Sequence, residues 1–227
     1  MKDATLQQVL ADQAAKRTVV LATDLANGDE RLIYPHEQSD DPLMGAAQDA
    51  ARLDKSGVVE TDGAKTFLNV YNPPLRLIIV GAVHIAQPLA RMATMTGYDV
   101  TVVDPRAAFA SAERFPEVTV MTEWPDDAMA TLAPNARTAI VTLTHDPKID
   151  DPALEVALRA PVFYIGALGS KKTHSARLQR LGDAGFSEAD LTRICGPVGL
   201  AIGAKSPAEI AVAVLAQITE RLRQPPA

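Results

Sequence analysis

Apolar and polar positions change rhythm near residue 72 of the chain. Before it, Leu6, Val9, Leu10 and Gln13 follow helical spacing, and the β-branched run from Thr18 to Thr23 reads as a strand. Ala26-Asn27-Gly28-Asp29 is a turn, because Asn-Gly accepts positive φ at little cost, and Arg31 to Tyr34 is the returning strand. Asp41-Pro42 offers an N-cap with proline at the first helical position, opening an alanine-rich helix that runs through Leu53. Val58 to Thr61 and Thr66 to Tyr71 bracket the turn Asp62-Gly63. Residues 1–72 are therefore expected to form a small N-terminal α+β domain.

Asn72-Pro73-Pro74 stops any regular element and stiffens the connection. Beyond it, strands and helices alternate. Leu75 to Val80 is almost continuously apolar, as a strand covered on both faces should be. A helical stripe of Ile85, Leu89 and Met92 ends near Gly97, and Val100 to Val103 is the next strand. Val118 to Val120, a helix from Asp127 to Leu132, the strand Thr138 to Leu143, a helix through Leu154 to Leu158, the strand Val162 to Ile165 and two closing helices follow. This alternation predicts an α/β fold for residues 73–227, a Rossmann-like doubly wound parallel sheet. Ligands of such sheets bind beyond the carboxyl ends of the strands, where the strand order reverses.

Composition narrows the classes of partner. The chain has 227 residues, 47% of them hydrophobic and 22% charged, with a net charge of −6. An acidic domain of ordinary composition lacks the electrostatic footprint of a nucleic-acid binder. The single cysteine, Cys195, cannot form an internal disulfide, and no Cys/His spacing marks a metal site. Met1 to Gln8 does not read as a secretory signal, and the apolar stretch from Leu77 to Met95 is broken by His84, Gln87 and Arg91. A cytoplasmic location without a membrane span is the expectation. A homodimer is plausible on base rates alone.

Candidate chemistry gathers after the strands. Gly81-Ala82-Val83-His84-Ile85-Ala86 matches the dinucleotide fingerprint G-x-G-x-x-G/A at its first and last positions. The middle glycine, which lets backbone approach a pyrophosphate, is replaced by Val83. Asp104 ends the next strand 23 residues after Gly81, near the ribose-binding offset of about 20. Asp104 and Arg106 can bind a ligand there, or can cap the turn and pair with one another. Thr144, His145, Asp146 and Lys148 crowd the loop after the strand from Thr138, where the imidazole can donate to an anion or ligate a metal. Asp146 can equally serve its own turn, and Asp151-Pro152 reads as a helix cap.

Gly166-Ala167-Leu168-Gly169-Ser170-Lys171 is a glycine turn feeding a helix start, which can receive an anion or form a solvated basic end. Arg177, Arg180 and Leu181 beyond it are expected to supply that helix's wet and dry faces. Gly196 to Ala204 is a glycine-spaced apolar loop, and Ser206-Pro207-Ala208-Glu209 is a structural capping box. Cys195 reads as a small buried hydrophobe, since sulfur transfer needs an exposed thiol of lowered pKa.

In their order and spacing, the Gly81–Ala86 loop, Val103-Asp104-Pro105-Arg106, Arg114-Phe115-Pro116, Thr144-His145-Asp146, Tyr164 to Ser170 and Gly196 to Ala204 resemble the XdhC/CoxI family over about Pro73 to Glu220. Members of that family are accessory proteins of molybdenum hydroxylases such as xanthine dehydrogenase and aerobic carbon monoxide dehydrogenase. The resemblance implies binding of the molybdenum cofactor, as molybdopterin or its cytidine dinucleotide form. It also implies support of the cofactor's sulfuration, with a cysteine desulfurase among the partners, and delivery to an apo-molybdenum hydroxylase. Val83 stands where many members have glycine. Many members also carry an N-terminal Gly-Ser-x-Pro-Arg segment and a double-glycine motif; neither is present in this sequence, where Thr18 to Asp24 is the nearest counterpart, so the chain looks like a short form.

Three readings follow. The first is a maturation factor without turnover, holding the cofactor between Gly81, Ala82, Val83, His84, Asp104, Arg106, Thr144, His145, Asp146, Gly166, Gly169, Ser170 and Lys171. Its phosphate would sit at the Gly169–Lys171 helix start, and its pterin near Asp104 and the His145 loop. The second is an NAD(P)-dependent oxidoreductase with His145 as proton donor, disfavoured by Val83. The third is a structural partner that docks on an apoenzyme, for which crevice substitutions leave the target enzyme's activity intact.

Overall fold

The structure, a computed structural model, describes residues 2–224. The chain forms two compact units, dividing between Pro73 and Pro74.

In the first unit, α1 (Asp3–Ala14) precedes β1 (Val19–Asp24) and β2 (Glu30–Ile33). α2 (Met44–Leu53), β3 (Gly57–Thr61) and β4 (Ala64–Tyr71) complete it. The strands form an antiparallel sheet in the order β2-β1-β4-β3. Val20, Ala22, Ile33 and Leu68 meet Leu43, Ala47 and Ala51 in one small core. The second helix starts later than Asp41-Pro42 suggests. Asp41 accepts the Leu43 N–H at 2.8 Å and pairs with Arg31 at 2.7 Å, and the helix proper begins at Met44. The carboxylate caps a turn ahead of the helix.

The second unit holds a parallel sheet built from β5 (Leu75–Val80), β6 (Tyr98–Val103), β7 (Thr119–Met121), β8 (Thr138–Thr142), β9 (Tyr164–Ala167) and β10 (Ile194–Cys195). Their order is β10-β9-β8-β5-β6-β7. The chain starts at a central strand, winds outward through β6 and β7, then returns to build the other side. The order therefore reverses between β5 and β8, where such sheets place ligands. The helices are α3 (Ala86–Met95), α4 (Pro125–Leu132), α5 (Pro147–Arg159), α6 (Lys171–Asp183), α7 (Glu188–Leu191) and α8 (Pro207–Arg223). Alternation along the strands sorts two cores. Leu77, Ile79, Val102 and Val141 pack with Leu89 of α3 and Val214 and Ile218 of α8. Ile78, Val80, Val103 and Ile140 pack with Met129 of α4, Leu154 of α5 and Leu181 of α6.

Three local expectations change. β9 runs two residues further than the apolar run from Val162 to Ile165 suggests, so Gly166 and Ala167 lie inside the sheet. Ile194-Cys195 is a sixth strand, paired in parallel with Ile165 and Gly166, too short to leave a pattern of its own. Asp146-Pro147, not Asp151-Pro152, starts α5: the Asp146 carboxylate accepts the Lys148 N–H at 3.0 Å, and Pro152 sits inside the helix. Asp151 instead faces Arg180 across a two-pronged ion pair of 2.6 and 3.0 Å.

Candidate functional site

The rim at the switch point is assembled from the loops that leave β5, β6, β8 and β9. Gly81 leaves β5 with φ +108°, and a Cβ there would come within 2.5 Å of the Thr144 Cγ2. Only glycine serves where positive φ and such an approach coincide. The next residue is gripped from both sides: Asp104 Oδ2 accepts the Ala82 N–H at 2.8 Å, and Arg114 Nη1 donates to the Ala82 C=O at 2.9 Å. The loop after β8 reaches the loop after β9, for a Cβ on Gly169 would lie 3.7 Å from His145 Nδ1. The chain of contacts thus runs from Asp104 to Gly81, Thr144, His145 and Gly169.

On the β6 side of this rim the carboxylate is internally paired. Asp104 is fully buried. Its Oδ1 accepts the Arg106 backbone N–H at 3.0 Å and Nε at 2.9 Å, while Oδ2 adds Arg106 Nη2 at 2.7 Å to the Ala82 contact. Burial pushes its carboxyl up, but the Arg106 guanidinium and the two backbone donors together outweigh that and hold its pKa below the usual carboxylate range. Of the two alternatives for Asp104 and Arg106, the cap and the pair are both formed, with the Arg106 side chain still partly exposed. The Arg106 guanidinium also lies 4.7 Å from the centre of the Phe109 ring, and Arg114 lies 5.9 Å from the same ring. Val83 is half-buried and packs on the core beneath α3, and His84 is exposed.

The β8–β9 side is different. His145 is exposed, with φ +64° and its N–H bonded to Asp150 Oδ2 at 3.0 Å. Thr144 is committed to structure, donating from Oγ1 to Asp150 at 2.7 Å, and Asp146 is the N-cap of α5. Ser170 caps α6 by accepting the Thr173 N–H at 3.1 Å. Lys171 and Lys172 are exposed on the first turn, where helix N–H groups and the dipole favour an anion. Gly166 leaves the set of rim residues: it is buried within β9, where a Cβ would strike Val198 Cγ2 at 2.6 Å and the Tyr164 ring at 2.8 Å. Its role is packing.

Two groups under the rim escaped the sequence reading. Arg177, expected on the faces of an amphipathic helix, is among the largest fully buried side chains, and its partner is the equally buried Asp150. One signal was available: Arg177 sits four residues before Leu181, in line with the apolar stripe of α6. Arg114, quoted only as part of a motif, is the clamp on Ala82. The His174 ring lies against Gly196, where a Cβ would overlap its Nδ1, and burial followed by the Arg177 charge pulls its pKa down. In the glycine-spaced loop, Gly199 donates to Gln217 Oε1 at 2.8 Å and Leu200 to the Ala213 C=O at 3.1 Å, which fastens the loop to α8. Cys195 is half-buried, and burial pushes its thiol up against an opposing pull from Arg221. Among the described residues no group of three or more His, Cys, Asp and Glu could hold a metal ion, and no helix is long and apolar enough to cross a membrane.

The parallel sheet, the glycine turn after its first strand and the buried carboxylate after its second define a Rossmann-type domain, with His145, Lys171 and Lys172 exposed at the rim. A family model described as the XdhC Rossmann domain matches residues 77–218, and the chain belongs to the XdhC family. It is 36% identical over 155 residues to the molybdenum cofactor insertion chaperone PaoD of Escherichia coli (strain K12), covering 68% of this chain and 42% of that protein. It is 33% identical over 155 residues to a probable xanthine dehydrogenase subunit of Bacillus subtilis (strain 168), covering 68% of this chain and 45% of that protein. The matched stretch thus spans less than half of either curated relative. A solved structure described as a xanthine dehydrogenase from Bacillus halodurans superposes with a TM-score of 0.71 at 25% identity, over 97% of this chain and 67% of that one.

Proposed function

We propose that this protein is an accessory factor in the maturation of molybdenum hydroxylases of the xanthine dehydrogenase or carbon monoxide dehydrogenase type. It binds the molybdenum cofactor as cargo, supports its sulfuration and hands it to the apoenzyme. The names borne by its relatives, an insertion chaperone and a xanthine dehydrogenase subunit, support this class of role. The observation that carries it here is the meeting of His145 with the Gly169–Lys171 helix start beside the switch point.

The cofactor is a pterin bearing a terminal phosphate, extended by a cytidine nucleotide in its dinucleotide form. The residues present suit the phosphate: the start of α6, the exposed Lys171 and Lys172 ammonium groups and the His145 imidazole offer donors and positive charge to an anion. The work proposed is binding and delivery, without chemical turnover by the crevice itself. Client apoenzyme and cysteine desulfurase then act on cofactor held at this rim, in the cytoplasm. The raised Cys195 thiol makes a poor sulfur carrier, so sulfur would come from the desulfurase.

The NAD(P)-dependent reading draws no comparable support. Val83 occupies the place where backbone must approach a pyrophosphate, and both Asp104 oxygens already have donors. Equilibrium binding of isolated cofactor separates the cases. Wild type is expected to bind and Lys171→Ala to bind about fivefold or more weakly, the scale of one charge-assisted contact. Equal affinity in the two, or binding by neither, contradicts the proposal.

A further inference from the structure

The two loops that carry the open polar groups are joined from below. Asp150, on the first turn of α5, and Arg177, on the second turn of α6, are each 1% exposed. Asp150 Oδ1 accepts from Thr144 Oγ1 at 2.7 Å and from the Thr144 N–H at 3.3 Å, and Oδ2 accepts the His145 N–H at 3.0 Å. The carboxylate therefore holds three donors of the loop after β8. Arg177 Nη2 stands 3.5 Å from the same Oδ2 and donates to the Leu168 C=O at 2.9 Å, in the loop after β9. One guanidinium nitrogen touches both anchors.

Stability alone is a poor account of this pair. Taking two charges out of water costs several kcal/mol per ion, so apolar replacements are often neutral or better. Arg177 Nε and Nη1 are buried without a hydrogen-bond partner, which adds an unrecovered desolvation cost. Its geometric effect is larger. Asp150 keeps His145 in the left-handed region, at φ +64°, and so sets the loop that presents the imidazole beside Gly169. Arg177 neutralises Asp150 and holds the carbonyl that immediately precedes Gly169.

We propose that the Asp150–Arg177 pair is a buried strut coupling the loop after β8 to the start of α6, so that His145 and the Ser170–Lys171 turn receive an anionic group as one unit. The proposal rests on the cofactor reading only for the nature of the anion. Both residues are positioning residues, since neither side chain reaches the solvent-facing rim.

The test uses the full chain with two readouts. Amide and histidine side-chain NMR spectra are recorded for wild type and Arg177→Met, which keeps the apolar stem, and binding of inorganic pyrophosphate is measured by calorimetry. The expected result is a concerted shift of the Leu168–Lys171 amides and, across the strut, of the Thr144–Asp146 amides and the His145 ring. Pyrophosphate affinity is expected to fall about fivefold, in the range of couplings carried by packed networks. Changes confined to α6 and its preceding loop, with Thr144–Asp146 and His145 unmoved, overturn the strut. Should Arg177→Met not fold, Asp150→Asn is read in the opposite direction: it must move Leu168–Lys171 amides, and their constancy overturns the proposal. If wild type binds no pyrophosphate, the anion reading fails on its own while the NMR arm still decides the coupling.

Discussion

The two halves of the switch-point crevice are built from the same kinds of residue and use them in opposite ways. On the β5–β6 half, a carboxylate, two guanidinium groups and the backbone of Ala82 bind one another, and Val83 packs down on the core. On the β8–β9 half, an imidazole and two ammonium groups stay exposed, and the paired charges, Asp150 and Arg177, lie underneath. Apart from the exposed His84 and the outer edge of Arg106, the first half is tied up within itself in the region where related folds hold the ribose of a dinucleotide. The second keeps His145, Lys171 and Lys172 exposed above a buried ion pair. Charged residues at the ends of parallel strands mark a ligand site only where their hydrogen-bonding capacity is not already met from within the chain.

The comparison can be broken at several points. The largest effect belongs to Gly81→Ala, which adds a Cβ to a residue at φ +108° against the Thr144 side chain. A loss of about 3 kcal/mol or more, read as a denaturant midpoint shift, is expected from strain and overlap together. Next comes Asp104→Asn, which removes the charge from a fully buried group with several donors. It should cost about 2 kcal/mol in stability yet leave cofactor affinity within about twofold, because this half is structural. A large affinity loss at unchanged stability reverses the assignment of the halves. The pH dependence has a definite sign. A carboxyl whose native pKa is depressed contributes stability that is complete above its unfolded value of about 3.9 and disappears as pH falls through the lower native value, so Asp104→Asn should flatten the melting temperature profile below about pH 4.

Lys171→Ala is the mirror image: a melting temperature changed by about 1 °C or less, because the side chain is exposed, with the affinity loss given above. Smallest is His174. Its pKa is lowered in the folded state, so the unfolded chain takes up the proton first as pH falls below about 6.5, and stability declines from there until the native value is passed. His174→Gln should remove that modest decline below about pH 6.5; a thermal melt series that keeps it assigns the decline elsewhere.

Much of this architecture was readable from residue order. The uninterrupted apolar run from Leu75 to Val80 announced a strand covered on both faces, and Ser206 with Glu209 announced the start of α8, where both bonds of the capping box form. What escaped depended on tertiary partners. Two Asp-Pro pairs, Asp146-Pro147 and Asp151-Pro152, carry the same local signal; Asp146 holds a backbone N–H and Asp151 holds Arg180 from a different helix. Arg177 looks like any helix-surface arginine until Asp150 and the Leu168 carbonyl meet it. The candidate residues were legible as a cluster of loops, and the pairing of Asp104 with Arg106 was one of two arrangements the residues offered, whereas the partners of Arg177 and Arg114 come from segments distant in sequence.

The most direct test of the central claim is an amide chemical-shift map of the chain titrated with isolated molybdenum cofactor. Binding on the open half predicts perturbations concentrated at Thr144–Asp146 and Leu168–Thr173, with little change at Ala82–His84 and Asp104–Phe109. Perturbations concentrated on the latter two segments, or none at saturating cofactor, would contradict it.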